Sequence, residues 1–162
     1  FLLDGNLDAK GKTLKQTKIS HDWLENYNQV RDNNPRYVEV YEVIDNETLA
    51  MEYIDELDTL EYVLKEPHYW PRINKHFIIE ALETFHQAFT DGLRVSKHHG
   101  NEMYFMHTDL KVANLIVDKD MRVMIIDPDS FTWVPKFQWT EKYYINQINM
   151  MFCLQRYFYE NV

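Results

Sequence analysis

The chain has 162 residues, of which 45% are hydrophobic and 15% aromatic, and it carries a net charge of −9. This composition excludes a disordered tail, and the length suffices for one sizeable core or a small two-lobed unit. The acidic balance argues against general binding to nucleic acid or to an anionic membrane, since both would repel a negatively charged surface.

The first part of the chain is predicted to form small sheets and one helix. Residues 1–18 have the pattern of a hairpin, and because the chain opens in a strand-like stretch without Met, we expect the protein to begin further upstream. Ser20 is a candidate helix N-cap, and Asn-Asn-Pro at 33–35 predicts the end of that helix. Residues 36–44 and 48–54 predict the strands of a second hairpin.

The second part is predicted to be mainly helical. Its expected elements are helices over 57–65, 72–91 and 140–159 and strands over 104–106, 115–117 and 121–126. In the last helix, Tyr144, Ile148, Met151 and Phe152 fall on one side.

Polar residues flank the strands of the last predicted hairpin. The stretch HTDLKVAN at 107–114 precedes the hairpin, and Asp127 ends its second strand. Asp109 lies five residues before Asn114. Transfer of a phosphoryl group from ATP uses one carboxylate to receive a hydroxyl proton, and an Asn and an Asp to hold Mg²⁺. A polar turn is the simpler interpretation of an isolated Asp. The combined spacing of Asp109, Asn114 and Asp127 nevertheless favours phosphoryl transfer.

Residues 105–131 resemble the H-R-D-L-x-x-x-N and D-F-G motifs of protein kinases, with Thr108 in place of Arg and Pro-Asp in place of Phe-Gly after Asp127. The resemblance implies an α+β fold of the protein kinase-like, two-lobed type. Residues 1–54 would form a reduced N-lobe sheet with one helix, and residues 55–162 a helical C-lobe with a truncated C-terminus. This short end resembles atypical kinases such as the RIO group, aminoglycoside phosphotransferases or phage-encoded kinases.

The resemblance implies a role for each motif residue. Asp109 would accept the proton of the attacking hydroxyl, and Lys111 would offset the charge of the transferring phosphate. Asn114 and Asp127 would bind Mg²⁺ and so hold ATP. His107 would be structural.

The resemblance also implies sites for the rest of the nucleotide. Glu52 and Ile54 would lie in the segment between the lobes, where backbone groups bind adenine in this family. Asp58 is a candidate for contact with the ribose or with a basic substrate.

A Lys–Glu pair that holds the phosphates is expected in the N-lobe. Glu25 lies where the family has the glutamate, and Lys15 would be its partner, with Lys12 or Lys10 as alternatives. Solvated charges at a strand edge are an equally good interpretation of these lysines.

Two departures from the family pattern concern the phosphates. The four glycines, at 5, 11, 92 and 100, cannot assemble a G-x-G-x-x-G loop, so we expect this loop either to lie upstream of Phe1 or to be absent. Asp-Pro-Asp restricts the backbone after Asp127, because proline fixes φ and lacks an N–H. Asp129 would be either a second Mg²⁺ ligand or a turn residue.

We therefore predict an ATP- and Mg²⁺-dependent phosphotransferase, an atypical Ser/Thr protein kinase. The alternatives are a pseudokinase that acts as a binding or scaffold module, and a small-molecule kinase. Lys111 favours a protein substrate or partner over a small molecule. Trp133, Trp139, Tyr143 and Tyr144 are expected to pack in the core or between the lobes, and the alternative is that they form a surface for a partner or a homo-oligomer. Cys153, the single cysteine, excludes an intrachain disulfide, and no apolar run approaches the ~18 residues of a membrane span, so we expect a cytoplasmic location.

Overall fold

The computed structural model describes residues 22–91 and 103–161 and confirms the α+β class. The helices are α1 (Trp23–Asn33), α2 (Leu60–Lys65), α3 (Lys75–Asp91) and α4 (Lys136–Asn161), and the strands are β1 (Val40–Asp45), β2 (Thr48–Met51), β3 (Glu56–Thr59), β4 (Met103–His107), β5 (Leu115–Asp118), β6 (Val123–Ile125) and β7 (Phe131–Pro135). The hairpin predicted over 1–18 and the cap at Ser20 lie outside the described residues. None of these helices is long and apolar enough to cross a membrane.

The predicted hairpin between 36 and 54 is present as the antiparallel pair β1–β2. The residues before β1 have a different partner. The N–H of Val38 donates to the Ile125 carbonyl at 3.0 Å, and the N–H of Ile125 donates to the Arg36 carbonyl at 2.8 Å. The first half of the predicted strand therefore lies along β6, and this contact ties the N-terminal part to the hairpin β5–β6.

The hairpin β5–β6 has a third strand, β3, most of which was predicted to be helical. β3 pairs antiparallel with β5, so the prediction of a helix over 57–65 is wrong for its first residues. The helix α2 begins only at Leu60, because the Thr59 side chain accepts the N–H of Tyr62 at 3.2 Å and so caps it.

The strand β7 was not predicted. It pairs antiparallel with β4 over its whole length, and the last pair joins His107 to Phe131. The two ends of the segment 108–130, which contains every predicted motif residue after His107, are therefore held together.

The helices α3 and α4 are close to their predicted bounds. α3 begins at Lys75 instead of 72, because Asn74 accepts the N–H of Phe77 at 2.9 Å and because residues Pro67–Arg72 form a 3₁₀ helix. α4 extends the predicted helix at both ends.

An aromatic cluster links α1 to the sheet β4–β7. Tyr27 lies at its centre, with its ring centroid 5.0 Å from Trp23, 6.3 Å from Tyr37 and 5.3 Å from Phe131. The ring centroid of Phe105 lies 5.3 Å from that of Phe131. These rings belong to one hydrophobic core that includes residues on both sides of the predicted boundary at 54/55.

Candidate functional site

The loop that carries Asp109 is closed at its base by two hydrogen bonds from one residue. The N–H and the Oγ1 of Thr108 donate to the Ser130 carbonyl at 2.9 and 2.7 Å. Thr108, which replaces the arginine of the resembled motif, thus extends the β4–β7 pairing by one step. This closure brings the beginning of the loop, at Asp109, towards its end, at Asp127.

His107 is buried below the loop and is bonded through both ring nitrogens. Its Nε2 lies 2.7 Å from the Ile126 carbonyl, and its Nδ1 accepts the N–H of Asp109 at 3.2 Å. A neutral imidazole with its proton on Nε2 satisfies both contacts. Burial lowers the pKa of His107, while the nearby carboxylates of Asp127 and Asp109 oppose that shift. The histidine therefore positions the backbone on both sides of the site.

Asn114 connects the two ends of the site. Its Nδ2 donates to the Asp109 carbonyl at 2.7 Å and to Asp109 Oδ2 at 3.0 Å. Its own carbonyl accepts the N–H of Ile126 at 3.3 Å. Ile126, the residue before Asp127, is thus held by Asn114 through its N–H and by His107 through its carbonyl. Both side-chain bonds of Asn114 use Nδ2, which leaves Oδ1 as the atom that can bind a cation.

Lys111 and Asp109 form an ion pair at the mouth of the site. Lys111 Nζ lies 3.3 Å from Asp109 Oδ2, and the two side chains are 48% and 54% exposed. A pair with this exposure contributes little to stability, so both groups can exchange their partner for a bound ligand at low cost.

Asp127 adopts a backbone conformation that is uncommon for a residue other than glycine. Its φ and ψ are 59° and 58°, in the left-handed region, where Asp is one of the more tolerated residues. The following 3₁₀ turn, Pro128–Ser130, is fixed by the Ser130 N–H, which donates to the Asp127 carbonyl at 3.0 Å. Asp129 is a buried member of this turn. Strained backbone of this kind is often found at functional sites.

The residues predicted to bind adenine lie between β2 and β3. Glu52 exchanges two bonds with Glu39: its N–H donates to the Glu39 carbonyl at 2.8 Å, and its Oε1 accepts the Glu39 N–H at 2.7 Å. The Glu52 side chain is thus used to hold this segment against the chain before β1. In the part of the chain that the structure describes, the Glu52 carbonyl and the Ile54 N–H make no backbone hydrogen bond.

A surface cavity of about 290 Å³ adjoins Glu52 and Ile54. It lies at the turn between β5 and β6, whereas Asn114 and Asp127 lie at the opposite end of that hairpin. Four residues of strand separate the two ends, which corresponds to about 13 Å. The predicted adenine-binding and phosphate-binding residues are therefore at opposite ends of one hairpin.

The predicted Lys–Glu pair can be placed only in part. Glu25 is on the exposed face of α1, opposite the buried Trp23, Tyr27 and Val30, and it makes no ion pair with any described residue. Lys15, together with Lys12 and Lys10, lies outside the described residues. Asp58, the other nucleotide candidate, accepts the Tyr69 hydroxyl at 3.1 Å and the N–H of Thr59 at 2.8 Å.

Lys142 also supports the site, although it was not predicted to do so. From α4, Lys142 Nζ donates to the Thr108 carbonyl at 2.7 Å. The bond joins residues that are 34 positions apart, and no spacing or motif in the sequence indicates it.

The donor set fits a hard cation. An amide oxygen of Asn114 and the carboxylate of Asp127 are the ligand types that Mg²⁺ takes from proteins when phosphates and water complete its coordination. Across the ranges 22–91 and 103–161, no group of three or more His, Cys, Asp or Glu side chains is arranged to hold a metal ion.

Comparison with models of known protein families and with curated proteins found no match for this chain.

Proposed function

We propose that this protein is an ATP- and Mg²⁺-dependent phosphotransferase with a two-lobed, protein kinase-like fold, and that it phosphorylates a hydroxyl group of a protein. The observation that carries the proposal is the hydrogen-bond set around Ile126. Through it His107 and Asn114 hold the residue before Asp127, while both also bond to Asp109. One carboxylate for the acceptor and an amide–carboxylate pair for a cation are thus positioned by the same few atoms.

Each residue has a defined part in the transfer. Asp109 accepts the proton of the acceptor hydroxyl as its oxygen forms a bond to the γ-phosphorus, and the bond from that phosphorus to the β–γ bridging oxygen breaks, releasing ADP. Lys111 leaves its ion pair with Asp109 to neutralise the γ-phosphate oxygens. Asn114 and Asp127 would hold Mg²⁺, and the ion would supply positive charge that offsets the charge of the phosphates.

A second cavity, of about 460 Å³, supports an acceptor site next to Lys111. Its wall is formed by the 3₁₀ turn after Lys111 and by residues of α2 and α4, including Lys65, Cys153 and Arg156. An acceptor in this cavity would lie beside the Asp109–Lys111 pair. A small-molecule acceptor is the alternative to a protein side chain.

The competing proposal is a pseudokinase that binds a nucleotide or a partner without transfer. It is favoured by the spacing of the four glycines, at 5, 11, 92 and 100, which does not match the G-x-G-x-x-G pattern of a phosphate loop. The complete set Asp109, Lys111, Asn114 and Asp127 favours the enzyme, because a pure binding module does not need a proton acceptor.

The test combines binding and transfer. Thermal unfolding is measured with ATP alone, with Mg²⁺ alone and with both, since a ligand that binds the native state raises the melting temperature. Transfer is followed as ADP release and as ³²P incorporation into the protein itself and into a mixture of hydroxyl-bearing peptides. We expect Asp127→Asn to remove most of the Mg²⁺-dependent shift. Asp109→Asn should keep that shift and lower transfer about 100-fold or more.

The control is Asp32→Asn, which removes an exposed carboxylate of α1. It should change neither the Mg²⁺-dependent shift in melting temperature nor the rate of transfer. A Mg²⁺-dependent shift without transfer would support the pseudokinase. The absence of any shift, or full transfer by Asp109→Asn, would exclude the enzyme mechanism.

A further inference from the structure

The outer face of α4 carries eight of the fourteen large hydrophobic side chains that are exposed among the described residues. Eight large side chains on this face, here called the seam, are between 41% and 87% exposed. They are Phe137, Tyr144, Ile145, Ile148, Met151, Phe152, Phe158 and Tyr159. All of them project from one side of the helix, opposite Trp139, Tyr143, Met150 and Leu154, which pack on the core. The seam therefore runs along one side of the helix, with the polar residues Glu141 and Gln155 between its apolar side chains.

The size of the seam exceeds that of an ordinary surface patch. Taking about 200 Å² for a fully exposed large side chain, the exposed fractions of the eight residues amount to roughly 1,000 Å² of surface. The largest patch on a typical monomer is about 300–600 Å². Two such faces fully buried against each other would amount to about 2,000 Å², which is at the upper end of the range for a stable, specific interface.

The charge pattern of α4 suits a second copy of the same chain. Residues 143–155 contain no charged side chain, although charged residues make up 27% of the chain. Two molecules that each carry a charge of −9 repel each other, and a contact surface without like charges does not add to this repulsion. An anionic membrane is a poorer partner, because Lys142, one of the few basic residues of α4, is already bonded to the Thr108 carbonyl.

Two polar residues within the stripe define the direction of pairing. Glu141 and Gln155 each lie seven residues from Ile148, on the same face of the helix. A two-fold axis through Ile148 brings Glu141 of one copy beside Gln155 of the other, where the amide can donate to the carboxylate. Parallel pairing would instead place Glu141 beside Glu141, which is destabilising.

We propose that the seam mediates an antiparallel homodimer with α4 paired to α4 around Ile148. This inference is independent of the reaction proposed above. Phe152 belongs to the seam and also lines the cavity next to Lys111, so the second copy would border that cavity.

Sedimentation equilibrium over a series of protein concentrations tests the association. We expect the unaltered chain to dimerise and Ile148→Asp to be monomeric, with far-UV circular dichroism unchanged because the side chain is exposed. The control is Ile44→Asp on β1, an isoleucine of similar exposure away from the seam, which should still dimerise. A chain that stays monomeric at all concentrations, or an Ile148→Asp variant that dimerises as tightly as the unaltered chain, would overturn the proposal.

Charge variants at one position test the antiparallel direction without changing the seam's apolar residues. In the antiparallel dimer, Gln155→Lys faces Glu141 of the other copy and should tighten association about fivefold, whereas Gln155→Glu should weaken it by a similar factor. In a parallel dimer both variants place like charges together and both weaken association, which would overturn the antiparallel arrangement. Binding of a monomeric chain to vesicles of anionic lipid would overturn the dimer in favour of a membrane surface.

Discussion

Single side chains of the site take their positions from buried hydrogen bonds more than from charge. His107 is the centre of these contacts: it is buried, and it is bonded to the residue before Asp127 and to the N–H of Asp109. A protonated imidazole at this place would lose the bond that Nδ1 accepts and would carry a charge without water around it. Protonation of one residue should therefore disturb both ends of the site.

This arrangement makes a prediction about acid stability. Because the pKa of His107 is lowered by burial, the unfolded chain takes up a proton near pH 6.5, whereas the folded chain takes it up only at lower pH. The contribution of neutral His107 to the free energy of unfolding is therefore complete above about pH 6.5 and is lost as the pH falls from there through the lower pKa of the folded chain. We expect His107→Gln to lose less stability than the unaltered chain between about pH 7.5 and about pH 5.5.

Urea unfolding at each pH measures this difference. The control is His76→Gln, an exposed histidine of α3, whose variant should keep the pH dependence of the unaltered chain. Equal pH dependence in the His107 variant and the unaltered chain would show that His107 does not titrate with folding.

At the scale of elements, the site depends on contacts between segments that are distant in sequence. Strands β4 and β7 close the base of the loop, and α4 reaches back to the loop through Lys142. Trp23 of α1 adds a bond from its Nε1 to the Phe131 carbonyl at 3.1 Å. A change in α1 or α4 should therefore act on the loop without altering any motif residue.

The bond from α4 to the loop has a measurable effect on stability. Lys142→Met keeps a good helix former and most of the apolar stem but removes the charged donor to the Thr108 carbonyl. We expect a loss of about 1–3 kcal/mol in the free energy of unfolding, measured with urea.

Lys65→Met is the matched control. Lys65 pairs with Glu61 on the surface of α2, and such a pair contributes only about 0.3–0.5 kcal/mol. If the two variants lost the same amount, the bond to the loop would have no special role in stability.

At the scale of the whole molecule, one hydrophobic core crosses the boundary predicted at 54/55. Leu49 and Tyr37 on one side and Phe105 and Ile125 on the other belong to the same cluster. A shared core favours cooperative unfolding of both parts. We expect a single transition, with tryptophan fluorescence and far-UV circular dichroism giving the same midpoint.

Core variants on either side of the boundary test this cooperativity. Leu49→Ala and Phe105→Ala should each shift the whole transition, with losses of about 2–5 kcal/mol. A variant that shifted only one part of the transition, or two probes with separate midpoints, would indicate two units that unfold independently.

The accuracy of the sequence-based predictions depended on how local the signal was. The β1–β2 hairpin, the β5–β6 hairpin and the helices α3 and α4 follow from apolar periodicity and turn residues, which act over a few positions. β3 was mistaken for helix because its four residues continue without a break into α2. β7 was missed because its partner β4 lies far away in the chain, and pairing between distant strands leaves no local pattern.

The sequence alone determined which chemical groups are available: the carboxylates at 109 and 127, the amide at 114, the lysine at 111 and the apolar side of the last helix. Tertiary structure decided how they are arranged, because strand pairing at His107 and Phe131 closes the loop and because packing of one face of α4 leaves the seam exposed. The physical reason is that side-chain chemistry belongs to each residue, whereas proximity comes from contacts between segments whose separation in sequence carries no signal.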